Sequence, residues 1–297
     1  MTIISRSTLL VLTFAAVLAA GVMGHAQDRR TAAAVPVKLY VFDGGILESD
    51  PTRYHLTTEE VTTSQLSVAS YLIVHPKGTL VWDTGAVGDS EWKPTGSPVV
   101  HRLMLPDGQP RQVTLKEGLL TQLAAAGYKP SGITYLALSH YHWDHTANAN
   151  AFAGSTWIAR KVERDTMFAN LPPGTYRPMT YSALRKSKTV LVQKDDDYDV
   201  FKDGTVVIKS AAGHTVGHQV LYVKLPNTGG VVLSGDLYHY PEERTLGRYP
   251  TFDFSEMQTR ASRQQIDAFL KKADAQLWIQ HDLAAFAKLK KSPAYYD

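Results

Sequence analysis

Apolar residues recur along the chain in short runs of strand length, divided by clusters of glycine, proline and aspartate. The β-branched and aromatic run at 37–42 predicts a first strand ended by Asp43-Gly44-Gly45. Residues 67–75 and 79–83 predict a hairpin, because Pro76-Lys77-Gly78 supplies a turn between two β-rich runs. From Glu91 to Gln112 no period is clear, which predicts a long irregular segment. There Leu103, Met104 and Leu105 could cap the core, face an apolar substrate or form a homodimer contact. A helix is expected over 115–126, stopped by Gly127, followed by an apolar run from Ile133 to Leu138. Residues 155–159 predict a strand, 161–169 a helix, and 171–177, with Pro172-Pro173-Gly174, a surface loop. Three further strands are expected at 205–210, 219–225 and 230–233. A helix over 255–272, capped by Ser255 or Asp253, then leads to a strand at 276–280 and a last helix over 282–290.

The order of these elements limits the architecture. Strands come first as an antiparallel-looking group, then mix with helices, and the order repeats. This predicts an α+β chain with two sheets packed face to face and helices outside. No internal repeat is evident in the residues themselves.

Composition narrows the setting. Met1 to Arg6, then an uncharged apolar run from Thr8 to Met23, then Gly24-His25-Ala26, has the pattern of a secretory signal peptide cleaved after Ala26. Residues 27–297 would then be one exported domain, periplasmic or secreted, with no stable membrane insertion after cleavage, since the apolar run is short for a span. There is no cysteine, so no thiolate can serve as ligand or nucleophile, and a domain of this size can bury enough core without disulfides. The net charge is +3 with dispersed basic residues, and the densest cluster, at 288–291, suits a solvated helix face. No nucleic-acid partner is expected. Asp195-Asp196-Asp197 lacks the alternating spacing of a calcium loop and predicts a solvated turn.

The candidate chemistry sits where the apolar run at 133–138 flows into Ser139-His140-Tyr141-His142-Trp143-Asp144-His145. His140 and His142 lie two apart, so extended backbone projects both to one side. Asp144 and His145 then open a helix that can aim them at a second point. Two points suggest two cations, and imidazole with carboxylate suits zinc, with manganese, iron or cobalt also compatible. Further metal-competent residues recur at strand ends: His214 and His218 in Gly213-His214-Thr215-Val216-Gly217-His218, Asp236 after the strand at 230–233, and His281 after 276–280.

The H-x-H-x-D-H pattern and these downstream residues resemble the metallo-β-lactamase superfamily over most of the chain. The resemblance implies an αββα sandwich with two divalent metal ions at one edge. It implies that His140, His142 and His218 bind one ion, Asp144, His145 and His281 the other, and that Asp236 bridges them, with His214 a turn residue. Asp83, in Asp83-Thr84-Gly85, is implied to orient a ligand histidine.

Two cations roughly 3.5–4 Å apart can hold a bridging hydroxide that attacks a polarised carbonyl, with Asp144 steering the proton. Thr146-Ala147-Asn148-Ala149-Asn150, Gln280-His281-Asp282 and the start of the domain are most similar to the N-acyl-homoserine lactonase family. That likeness implies a small-molecule lactone substrate, a quorum-quenching role and a substrate-contacting tyrosine after the bridging aspartate, assigned here to Tyr238 with Tyr240 in reserve. Trp143 is expected to line the acyl pocket. A β-lactamase, phosphotriesterase or thioesterase on the same fold, or a metal-binding protein without turnover, are the alternatives.

Overall fold

The computed structural model describes residues 36–169, 174–193 and 195–297. The signal peptide expected over 1–26 and part of the loop expected over 171–177 lie outside them. In chain order the elements are β1 (Lys38–Glu48), β2 (Gln65–His75), β3 (Gly78–Trp82), β4 (Val99–Met104), β5 (Pro110–Leu115), α1 (Leu119–Ala125), β6 (Tyr135–Ala137), α2 (Trp143–Thr146), β7 (Thr156–Arg160) and α3 (Lys161–Met167). There follow β8 (Thr189–Val192), β9 (Tyr198–Asp199), β10 (Val206–Ser210), β11 (Gln219–Leu225), β12 (Gly229–Leu233), α4 (Pro241–Leu246), α5 (Glu256–Ala273), β13 (Ala275–Trp278), α6 (Leu283–Lys288) and β14 (Tyr295–Tyr296).

The strands form two mixed sheets. The first has the order β4-β5-β1-β2-β3-β6-β7-β8, with β14 also on β1, and the second has the order β13-β12-β11-β10-β9. β3, β6, β7 and β8 run parallel to one another, as do β12 and β13, while the other pairs are antiparallel. Side-chain alternation explains the layering. On β1, Leu39 and Val41 enter the core between the sheets, where they meet Val206, Ile208, Leu221, Val223 and Leu233 from the second sheet. Tyr40 and Phe42 point to the opposite face, onto Leu119 and Leu123 of α1. On β11, Leu221 and Val223 face inward while Val220 and Tyr222 pack outward under Ile266 and Leu270 of α5. The result is helix, sheet, sheet, helix, the expected αββα sandwich.

Two expectations change. The first strand does not stop at Asp43-Gly44-Gly45 but bends through a bulge and continues to Glu48, which brings it onto β5. Residues 91–112 are not irregular throughout, because β4 and the first half of β5 fall within them and the two strands form a hairpin turned at Pro106-Asp107-Gly108. Its strands are largely half-exposed, so the apolar alternation is too weak to reveal them, and Val100 and Met104 are left open to solvent.

Candidate metal centre

The centre lies where loops from both sheets meet. β6 ends at Ala137, and Ser139 to His142 carry the chain out to the start of α2, whose first turn holds Asp144 and His145. The turn between β10 and β11 supplies His214, the segment after β12 supplies Asp236, and the one after β13 supplies His281. Two groups of donors result: His140, His142, His214 and Asp236, and then Asp144, His145 and His281, with ligand atoms in each group within 4.8 Å of one another.

Asp236 joins the groups. Its Oδ1 is 3.0 Å from His145 Nε2 and 3.0 Å from His281 Nε2. Its Oδ2 is 3.3 Å from His214 Nε2 and 3.6 Å from His140 Nε2. One carboxylate thus offers one oxygen to each side. Burial would push Asp236 up, but His145, His281 and His140 around it hold its carboxyl well below the usual range, so it is charged. Burial, with neighbouring imidazoles adding to it, holds His140 and His142 well below the ordinary histidine value, in the neutral form a metal ligand requires.

The orienting partners are equally specific. His145 Nδ1 lies 2.9 Å from Asp83 Oδ2, while the other oxygen of Asp83 accepts from the Ser139 N–H at 2.6 Å. His281 Nδ1 donates to the Ser67 carbonyl at 2.6 Å. His214 Nδ1 meets Asp253 Oδ1 at 2.9 Å, and Asp253 in turn accepts from the Thr259 hydroxyl of α5 at 2.6 Å. These contacts turn Nε2 of each ring toward Asp236, and His214 Nε2 also lies 2.9 Å from His142 Nδ1, the other imidazole of its group.

The structure exchanges the expected roles of His214 and His218. His218 Nδ1 donates to the Ala211 carbonyl and its Nε2 accepts from the Asp236 N–H, both at 2.9 Å, and it is His214 whose ring joins His140, His142 and Asp236. Burial and the neighbouring His214 push its pKa down to about 3, consistent with a neutral ring bonded at both ends. Tyr238 is also displaced from its expected role. It is buried among Leu237, Ile266 and Leu270 beneath Arg263, away from the cavity, and Tyr240 packs on Tyr54.

His239, between them, faces the cavity with Nε2 3.0 Å from Asp236 Oδ2. Its Nδ1 is 3.4 Å from the buried Glu243 carboxylate. Burial would push the His239 pKa down, but Asp236 and Glu243 hold it up at about 10. Sequence reasoning gave His239 no site role and took Asp253 only as a candidate helix cap. The glycines on either side of the His214 turn were the available signal for a tightly held ligand.

A cleft of about 300 Å³ opens on the centre, bordered by His142, Asp144, Asp236, His239 and His281 and by Trp143, Tyr54, Phe252, Arg53 and Arg111. Its residues fit a pair of divalent cations: hard oxygen and borderline nitrogen donors converge, and among the described residues the buried Nε2 of His140 finds no hydrogen-bond partner, its nearest carboxylate oxygen being 3.6 Å away.

The sequence profile of the metallo-beta-lactamase superfamily matches residues 63–276. The chain belongs to that superfamily. His281 lies just beyond the matched stretch, so its place in the centre rests on geometry. Within the superfamily the chain is 30% identical over 270 residues to the N-acyl homoserine lactonase AttM of Rhizobium radiobacter, covering 88% of this chain and 98% of that protein. Among solved structures, an N-acyl homoserine lactone hydrolase with the product N-hexanoyl-L-homoserine bound at its catalytic metal center superposes with a TM-score of 0.71 at 21% identity, over 88% of this chain and 99% of that one. AidC, a dizinc quorum-quenching lactonase, gives 0.62 at 18% identity, over 89% and 95%. At these identities the two structures establish the shared fold.

Proposed function

We propose that this metal-dependent hydrolase is exported, holds two zinc ions and opens the ring of N-acyl homoserine lactones, which would quench signalling by such molecules. The observation that carries the reading is the division of Asp236, one oxygen toward each donor group. The names of its relatives support the substrate class, and the pattern of residues 1–26 supports export to the periplasm or beyond.

His140, His142 and His214 would hold one ion and Asp144, His145 and His281 the other, with Asp236 shared. When bound, such a pair supplies a water activated near neutral pH and polarises the carbonyl to be attacked. The residues of the chain account for the protons. Asp144 borders the cleft and takes the proton that the attacking water loses. As the water oxygen bonds to the carbonyl carbon and the ring C–O bond breaks, that proton passes to the departing alkoxide oxygen. The new carboxylic acid then ionises, so each turnover releases one proton. His239, fixed between Asp236 and Glu243, borders the cleft, and as the oxygen departs its Nε2–H would turn from Asp236 to steady it, the part first assigned to Tyr238. Trp143 and Phe252 provide apolar wall for an acyl group.

Proton release measured with an N-acyl homoserine lactone, a penicillin and paraoxon tests the proposal. Turnover of the lactone that is abolished by a chelator and restored by zinc is expected. Preference for the penicillin or paraoxon, or lactone hydrolysis indifferent to the chelator, would overturn it.

A further inference from the structure

Glu163 is a buried carboxylate on α3, and none of the steps above uses it. Its Oε1 accepts from the Tyr141 N–H at 3.1 Å, the residue between His140 and His142. Both of its oxygens accept from the Thr215 hydroxyl, at 2.8 and 3.0 Å, and Oε2 accepts from the Gly217 N–H at 2.8 Å. Thr215 and Gly217 follow His214. The two loops belong to different sheets, and the rings of His142 and His214 that meet at 2.9 Å are 72 residues apart in the chain. We infer that Glu163 is a positioning residue that locks these loops together, so that the three histidines of the first group converge and the chain holds two cations instead of one.

The chemistry at Glu163 is one-sided. Every polar partner it meets in those loops is a donor, which suits an acceptor-only carboxylate. A glutamine amide would turn an NH₂ against at least one N–H or O–H, and an apolar side chain would leave three donors unpaired. The close approach is also built in at Gly217, where a β-carbon would lie 2.8 Å from Glu163 Cβ. Glu163 does not touch the second group, whose orienting contacts run to Asp83 and Ser67. Its removal therefore has an asymmetric signature.

This inference rests on the two-metal reading, and the test separates the two. Zinc affinity is measured by chelator competition, and stoichiometry by elemental analysis, on the native protein and on Glu163→Gln, alongside the melting temperature of each metal-free protein. The native protein should bind two ions tightly. In Glu163→Gln one site should weaken by tenfold or more while the other is unchanged, and lactone turnover should recover as zinc is raised. Thr215→Val, which removes one donor and leaves the carboxylate, should weaken the same site by a smaller factor and reads the same quantity if Glu163→Gln does not fold. Equal weakening of both sites, or a lower melting temperature with both affinities intact, overturns the role of Glu163. A native protein with fewer than two zinc sites overturns the two-metal reading instead.

Discussion

The two donor groups are held by different kinds of backbone. His145 is oriented by Asp83, directly after β3, and His281 by the Ser67 carbonyl within β2, with the Ser67 N–H and hydroxyl returning to the His281 and Gln280 carbonyls at 3.2 and 2.9 Å. This second group is keyed into the frame of the first sheet. The first group shares the β6 exit with the second but also depends, through His214, on a turn gripped from outside: α3 reaches it through Glu163, and α5 through Thr259 and Asp253. A β-carbon on Gly213 would fall 2.2 Å from the Thr259 nitrogen, so this glycine permits the α5 contact as Gly217 permits the α3 contact. The second group is thus keyed into the sheet and the His214 arm of the first is held through helix packing, so the two sides should fail differently.

Removing the shared carboxylate should erase the difference. Asp236→Ala takes an oxygen from each side, so both zinc sites should weaken together and lactone turnover should fall by about 10³-fold or more, several kcal/mol of transition-state stabilisation. Proton-release kinetics with zinc titration checks this. Loss of only one site would break the bridging assignment.

The exchange of His214 and His218 gives the next largest effect. His214→Ala should lose one tightly bound ion and most turnover, while His218→Ala should keep both ions. The latter leaves the Asp236 N–H unpaired in the interior and should lower stability by about 1–3 kcal/mol, read by denaturant unfolding. The reverse pattern would restore the ligand set expected from the sequence.

What the sequence disclosed divides by chain segment and cuts across the two donor groups. His140, His142, Asp144 and His145 are contiguous on a strand exit, so spacing alone brings them together, and the alternation of Leu39 and Val41 against Tyr40 and Phe42 announces a two-faced strand. His214 and His218 bound one turn, and choosing between them requires knowing which Nε2 the Asp236 amide occupies, a contact 18 residues away in the chain. The same holds for Tyr238 and His239: adjacent residues take opposite faces, and the packing of α5 decides which one is covered.

The orienting carboxylates sharpen the comparison further. Asp83→Asn should weaken the second site and Asp253→Asn the first, each by roughly 10–100-fold in metal affinity. Asp83 also accepts from the Ser139 N–H, so its replacement should lower the melting temperature as well. Site-resolved zinc titration of the two variants tells whether the groups are independently tuned. Weakening of the same site by both would remove the basis for separating them.

The smallest effect is expected where the loop-borne group is touched most remotely. Ser255 caps α5, its hydroxyl accepting from the Gln258 N–H at 3.3 Å while its own N–H donates to the Gly213 carbonyl at 2.9 Å. The adjacent Phe254 N–H donates to the His214 carbonyl at 3.2 Å. Ser255→Ala keeps both backbone contacts and removes only the side-chain cap, so stability should fall by about 1 kcal/mol. Fraying of the first turn of α5 would loosen Thr259 and, through Asp253, the His214 ring. The first site should therefore weaken by a few-fold while the second, with no partner on α5, stays unchanged. Zinc titration and thermal unfolding of this one variant decide the matter, because an equal change at both sites would mean that the cap acts through global stability and that the grip of α5 on the His214 turn is not specific to the first group.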